Sequence, residues 1–435
     1  MTPAARIQAA IELLGILAPR KRPADQVVSD YFRQRRYIGA KDRRTIAELV
    51  YGIIRRQARL DWWRERGGGA SVDRARALIL TALAVIDSWS VDRIAAVFDG
   101  KPYHPASLTA DERRLALAVQ GHTLDHPAQP DWVRLEVPSW LLPKLAEAWG
   151  PRLPRELAAL QDEAPFDLRS NTLKGTRDAA RAALKAEGVD AAPTPLSPIG
   201  LRLDARIAIA ATEAFRSGLV EVQDEGSQIV ALLTDAKPGQ RVCDFCAGAG
   251  GKTLALAAAM ENRGQIMALD IRDARIARAA LRLRRGGIHN VARRLLEGHR
   301  DPWVKRHKGS FDRVLVDAPC TGIGTWRRNP DAKWRIGPED LTELTALQAD
   351  ILASASRLVR PGGRLVYATC SVLPEENQLQ LPRFLAAHPD FHIVPVAGIW
   401  RATIGGTCPA TEATLALTPA HHGTDGFFVA IFERG

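Results

Sequence analysis

Apolar residues in the first third of the chain recur at helical spacing. Ile7, Ile11, Leu14 and Leu17 fall on one face, and Ile46, Leu49, Val50 and Ile53 share a face in RRTIAELVYGIIRR. The run at residues 77–86, ALILTALAVI, is about half a membrane span and is broken by Thr81, so it predicts a core helix. Residues 1–135 therefore read as an all-helical domain. Over residues 136–235 the pattern changes to short units: FDLRSNTL, then TRDAARAALKAEG, then the turn-rich AAPTPLSPIG. These predict a small α/β module. Over residues 236–435 strands and helices alternate regularly. RVCDF, a helix from Lys252, QIMALD, a helix from Asp273, NVARRLL, DRVLVDA, a long helix from Pro338 and GRLVYATC follow one another. Such alternation predicts an α/β domain with a parallel sheet and helices on both faces. There is no internal repeat and no low-complexity tail.

Composition narrows the class. A chain of 435 residues exceeds what one core usually supports, and 46% hydrophobic with 25% charged residues is ordinary for a soluble protein. The opening residues lack the order of a cleavable signal, so a cytoplasmic location without membrane association is expected. Five cysteines between residues 243 and 408 are too few for a disulfide framework, and reduced thiols follow. Cys243 and Cys246 form a C-x-x-C, but no second pair stands at zinc-ligand spacing, so no metal is expected.

The net charge is +11, and basic residues cluster at 32–44, 282–287, 293–308 and 326–335, some with tryptophan or tyrosine interleaved. One such cluster is ordinarily a solvated face. Several read as a surface that meets a polyanion, because guanidinium pairs with phosphate and stacks on bases.

The glycine loop DFCAGAGGKT, 244–253, lies where a strand turns into a helix, the place at which open α/β sheets bind ligands. A P-loop needs glycine six positions before Lys252, where Cys246 stands. A dinucleotide fingerprint starting at Gly248 needs glycine or alanine at Thr253. A third reading is an S-adenosylmethionine site, with close backbone approach at Gly248, Gly250 and Gly251. Asp270 closes QIMALD twenty residues after Gly250, where a carboxylate accepts hydrogen bonds from ribose hydroxyls; the bland alternative is a helix cap.

Cys320 in DAPCTGIGT and Cys370 in YATCS each end a predicted strand. A lone cysteine is usually core packing. Here the motifs QDEGSQ, DFCAGAGGKT, DAPCTGIGTWRRNP, YATCS and DGFFVAIFER, in this order, resemble the Sun-domain family of RNA cytosine-5 methyltransferases, its small-subunit ribosomal RNA members in particular. The resemblance covers about residues 140–435. RRYIGAKDRRTIAELVYGIIRR resembles the NusB-like RNA-binding domain more weakly. What this implies is a Rossmann-like class I methyltransferase core, an RRM-like α/β module and an amino-terminal NusB-like domain.

The implied chemistry needs two thiols. Carbon 5 of cytosine is a poor nucleophile, so a thiolate first adds to carbon 6, and after methyl transfer the carbon 5 proton must leave. The resemblance places the nucleophile at Cys370 and the release-assisting thiol at Cys320. Asp317 would hold the cytosine edge and stabilise charge there. DNA cytosine methyltransferases share the Pro-Cys but lack the Thr-Cys partner, so possession of both favours RNA. S-adenosylmethionine would be held by Cys246, Ala247, Gly248, Ala249, Gly250, Gly251, Lys252 and Asp270, with Asp317 beside it. The acidic position after the third strand falls at Glu297, with Asp301 as an alternative. CAGAGGKT stands where many members have Ala-Pro before the glycines. A monomer acting on ribosomal RNA is the leading expectation. Transfer RNA is an alternative substrate, and a non-catalytic RNA-binding assembly factor is a reading from another class; a P-loop ATPase comes last.

Overall fold

The computed structural model describes residues 1–410 and 412–435 and divides into two compact units, 1–161 with 328–338, and 162–327 with 339–435. The first unit is built of helices, among them Pro3–Leu17, Ala24–Gln34, Ala40–Arg55, Gln57–Arg66, Arg74–Val85 and Ala110–Val119. Ile7, Leu14, Ile46, Val50, Ile53, Leu78, Leu83 and Leu115 interlock in its core. Thr109 starts its helix with a capping box closed by Glu112. The apolar run of Arg74–Val85 is buried on nearly every side. No helix among the described residues is long and apolar enough to cross a membrane.

The second unit holds two sheets. The smaller is antiparallel, with strands β1 (Phe166–Ser170), β2 (Ala192–Pro193), β3 (Gly200–Leu203) and β4 (Val220–Val222) in the order β2-β3-β1-β4. The larger contains β5 (Arg241–Asp244), β6 (Gln265–Asp270), β7 (Val291–Leu295), β8 (Phe311–Asp317), β9 (Val359–Thr369), β10 (Phe391–Ile393), β11 (Leu415–Leu417) and β12 (Phe427–Arg434). Its order is β10-β12-β9-β8-β5-β6-β7, with β11 paired to β12.

Strands β5 to β9 pair in parallel, and Val314, Leu315, Val316, Leu365, Val366 and Tyr367 are fully buried, as expected where helices cover both faces. The sheet is not parallel throughout. β12 pairs antiparallel with β9 and β10, so the terminal FFVAIFER closes one side of the parallel core. The chain runs outward from β5 through β6 to β7, then returns to β8 on the other flank of β5. That reversal makes a crevice at the carboxyl ends of β5 and β8, where α/β sheets bind ligands. Asp244 ends β5 and Asp317 ends β8, so two carboxylates stand at the crevice.

Candidate active site

β8 and β9 run side by side with Asp317 opposite Ala368, and the turn after each strand carries one cysteine. The two sulfur atoms lie 3.4 Å apart, within hydrogen-bonding range. The Gly324 N–H donates to the Cys370 carbonyl at 2.9 Å, and the Gly426 N–H donates to the Gly324 carbonyl at 2.9 Å. A Cβ on Gly324 would sit 2.3 Å from the Gly426 oxygen, so this contact requires glycine. The TGIG and DGFF motifs thereby bring the start of β12 against the Cys370 turn.

The Cys320 thiol is pushed well above its ordinary range, first by its hydrogen bond with Cys370, then by burial, by the charge of Cys370 and by that of Glu376. It therefore holds its proton at neutral pH.

Lys252, in the first turn of the helix Gly251–Ala259, reaches across the crevice to Asp317, Nζ to Oδ2 2.6 Å. Its ammonium also lies 5.2 Å from the centre of the Phe427 ring. Burial works against the lysine charge, and Asp317, with Cys370 and Asp244, more than offsets it, so its pKa is raised. Lys252 belongs among the expected cofactor residues, yet its charge faces the aspartate and the thiols. Behind it, Asp244 accepts a hydrogen bond from the Thr253 hydroxyl at 2.7 Å, while its second oxygen is buried with no partner. Burial pushes the Asp244 carboxyl up to about 7, with the charge of Asp317 adding to the effect.

The glycine loop turns tightly. Gly248 and Gly250 have φ of +56° and +80°, the left-handed region that favours glycine. A Cβ on Gly250 would come within 3.0 Å of Ala279, whereas one on Gly248 would meet nothing within 4 Å. The loop thus packs at Gly250 and is open at Gly248. Asp270 accepts from the Gly248 N–H at 2.9 Å and the Arg272 N–H at 2.8 Å, which fixes its carboxylate beside the loop. Arg282 donates to the Ala249 carbonyl at 2.9 Å. Cys246 follows Cys243 in chain, but Cys243 is buried inside the sheet, and burial raises both thiols. Among the described residues no group of three His, Cys, Asp or Glu could hold a metal ion. Glu297 is exposed just beyond β7, and its backbone N–H donates to Asp301 at 3.0 Å. Asp301 also caps the helix Pro302–Arg306 through the Trp303 N–H at 2.8 Å.

The basic clusters divide. Arg327, within the 326–335 cluster read as polyanion-facing, is 4% exposed and ion-paired with Asp425 and Asp224. Lys333, in the other unit, is 1% exposed, and burial lowers its pKa to about 8. In the 282–287 cluster, Arg282 and Arg285 both pair with Glu221 of β4. These cations hold the fold together. At 32–44, in contrast, Arg33, Arg36, Lys41 and Arg44 are exposed, as is Tyr37.

QDEGSQ, legible only as a family motif, packs on the smaller sheet and reaches the start of β12, where the Asp425 N–H donates to Asp224 at 3.2 Å. Gln223 accepts from Arg169 at 2.6 Å, and Asp224 caps the helix Glu225–Leu233. Glu225 accepts from the backbone of Leu196 and Ser197, and Gln228 donates to the carbonyls of Leu168 and Gln223.

Comparison with known proteins bears on this arrangement. The family described as 16S rRNA methyltransferase RsmB/F matches residues 231–433, and an RsmF/B-like ferredoxin-like domain matches residues 137–210. A probable ribosomal RNA small subunit methyltransferase B of Synechocystis is 33% identical over 435 residues, covering 95% of this chain and 96% of its own. The ribosomal RNA small subunit methyltransferase B of Erwinia tasmaniensis is 31% identical, covering 90% and 91%. The chain belongs to the RsmB/F methyltransferase family.

Solved structures agree with this membership. A methyltransferase homolog from Pyrococcus horikoshii is 29% identical with a TM-score of 0.61, over 72% of this chain and all of that one. NSun6 from the same organism, solved with the ligand SFG, has a TM-score of 0.60 at 19% identity and speaks for the fold alone. As an RsmB/F family member the protein is an S-adenosylmethionine-dependent methyltransferase with a Rossmann-like α/β core. The residues present fit that cofactor. The loop is open at Gly248, Asp270 offers a fixed carboxylate for ribose hydroxyls, and Asp244 keeps an unpartnered buried oxygen at the same crevice.

Proposed function

We propose that this chain methylates carbon 5 of a cytosine in small-subunit ribosomal RNA through a covalent adduct with Cys370. The observation that carries the reading is the pair of sulfur atoms 3.4 Å apart beside the Lys252–Asp317 ion pair. A structural thiol needs neither a second thiol nor a charged pair at its side.

The bound cofactor supplies an electrophilic methyl group on sulfonium sulfur. Cys370, as thiolate, forms a bond to carbon 6, and the ring electron pair moves toward the ring nitrogen and carbonyl oxygen. The Lys252 ammonium is the donor placed to stabilise that negative charge, and Asp317 accepts from the exocyclic amine. Carbon 5, now enamine-like, takes the methyl group. With Cys370 bonded to carbon, its hydrogen bond and charge no longer raise the Cys320 thiol, while burial and the charge of Glu376 still do. Cys320 then gives its proton to solvent and takes the one on carbon 5. That C–H pair becomes the carbon 5 to carbon 6 double bond, and the C–S pair returns to Cys370.

Cys246 to Gly251 and Asp270 hold the cofactor in this reading, while Lys252, the last of the expected loop residues, serves the base. The helical domain and the small α/β module hold the RNA, a role supported for the helical domain by the exposed cations at 36, 41 and 44. The test is to incubate the protein with small-subunit ribosomal RNA and labelled S-adenosylmethionine, then digest and identify the methylated nucleoside. 5-Methylcytidine is expected, absent with Cys370→Ala. Methylation on another atom or nucleoside would overturn the reading.

A further inference from the structure

We infer that Glu376 and Asn377 are positioning residues, adjacent in sequence, each of which fixes the backbone on both sides of one reactive cysteine. The inference deepens the cysteine-adduct mechanism above and rests on it. Glu376 is fully buried, and Asn377 is 3% exposed. One oxygen of Glu376 accepts from the Thr321 N–H at 2.8 Å and from the Gln348 amide at 2.9 Å; the other accepts from the hydroxyls of Thr321 and Ser371. The same Gln348 nitrogen donates to the Pro319 carbonyl at 3.0 Å. Cys320 is thus held through both neighbours, Pro319 and Thr321.

Asn377 does the same for the other thiol. Its Oδ1 accepts from the Thr369 hydroxyl at 2.6 Å, and its Nδ2 donates to the Ser371 carbonyl at 3.1 Å. Thr369 and Ser371 flank Cys370. The two clamps are joined through the Ser371 hydroxyl on Glu376, and the Tyr367 hydroxyl anchors them to β9 by donating to the Glu376 carbonyl at 2.6 Å. Burying a carboxylate is costly, and a turn could be closed with neutral groups. Four donors from three segments converging on one carboxylate are what a fixed distance between two sulfur atoms requires. A displacement of the order of 1 Å at reacting atoms costs about 10²-fold in rate.

The two residues should therefore fail differently. Glu376→Gln sets an amide N–H against groups that are already donors, loosening the Cys320 turn. Turnover should fall about tenfold to 10²-fold while the covalent protein–RNA complex accumulates, as for a variant impaired in release. Asn377→Ala loosens the Cys370 turn, so methyl transfer should fall by a similar factor with no accumulated complex. In both variants KM for S-adenosylmethionine should stay within about twofold, since neither residue touches the glycine loop.

If Glu376→Gln does not fold, Thr321→Val removes one hydroxyl donor from the same carboxylate and should shift the balance toward the complex to a smaller degree. Equal losses in the Glu376 and Asn377 variants that track the folded fraction, without a trapped complex, would show a purely structural role and overturn the inference. Cys320→Ala run in parallel separates the two levels. If it traps the complex and neither Glu376→Gln nor Thr321→Val does, only the inference fails. If it traps nothing, the adduct mechanism falls and the inference with it.

Discussion

Lys252 and Asp317 meet at 2.6 Å across the crevice between β5 and β8, so the glycine loop's lysine is tied to the aspartate that precedes Cys320. This ion pair joins the glycine loop to the turn that carries Cys320. Lys252→Met should keep the packing along Phe427 but remove the donor that stabilises charge on the base. A fall in kcat of about 10²-fold, with S-adenosylmethionine affinity changed far less, is expected from single-turnover kinetics and calorimetry. Loss confined to cofactor affinity would assign Lys252 to the cofactor instead.

Asp270 is fixed by the N–H groups of Gly248 and Arg272. Asp270→Ala should weaken S-adenosylmethionine binding by roughly 1.5 to 3 kcal/mol, the range for a hydrogen bond to a charged acceptor. Calorimetry on the folded variant decides this, and wild-type affinity would remove Asp270 from the ribose site.

Asp244 gives a stability signature in pH. Its carboxyl is raised from 3.8 to about 7 by burial, so between those values the folded state binds a proton that the unfolded state has released. Its contribution is fully present below about pH 4 and is lost as pH rises toward 7, on the order of 4 kcal/mol in all. Urea unfolding across that range should show wild type losing stability relative to Asp244→Asn as pH rises. Parallel curves would contradict the buried, protonated carboxyl.

The basic clusters separate into two kinds of cation. Arg327→Ala breaks a buried pair with Asp425 and should cost about 3 kcal/mol of stability while leaving the salt dependence of RNA binding unchanged. Neutralising Arg36, Lys41 and Arg44 should do the reverse, flattening the salt slope by roughly one for each lost phosphate contact. An unchanged slope in the triple variant would exclude those residues from the RNA surface.

This division shows what a sequence conveys. The glycine loop and the carboxylate ending β6 stand out in the sequence because each sits at the end of a strand, whereas Cys320 and Cys370 stand out only through the motifs on which the family resemblance rests. Strand alternation likewise gave the parallel core, since burial on both faces writes itself as continuous apolar runs. Arg327 and Lys333 were misread because a run of charges does not record which of them meet acidic partners distant in sequence, such as Asp425 and Glu136. Lys252 was legible as a member of the loop, but its direction depends on β8 lying beside β5, which follows only from the strand order. The Glu376–Asn377 clamps gave no signal, although they lie within a few residues of Cys370, because their partners come from three separate segments.

The most direct test is a denaturing gel of protein mixed with target RNA and S-adenosylmethionine, read beside methyl incorporation. Wild type should turn over without a persistent complex. Cys370→Ala should form no covalent complex and transfer no methyl group, because the step that activates the base is gone. Cys320→Ala should transfer one methyl group and remain joined to the RNA, because the carbon 5 proton leaves slowly. A persistent complex in Cys370→Ala rather than Cys320→Ala would reverse the two roles, and full turnover in both variants would contradict the two-thiol mechanism altogether.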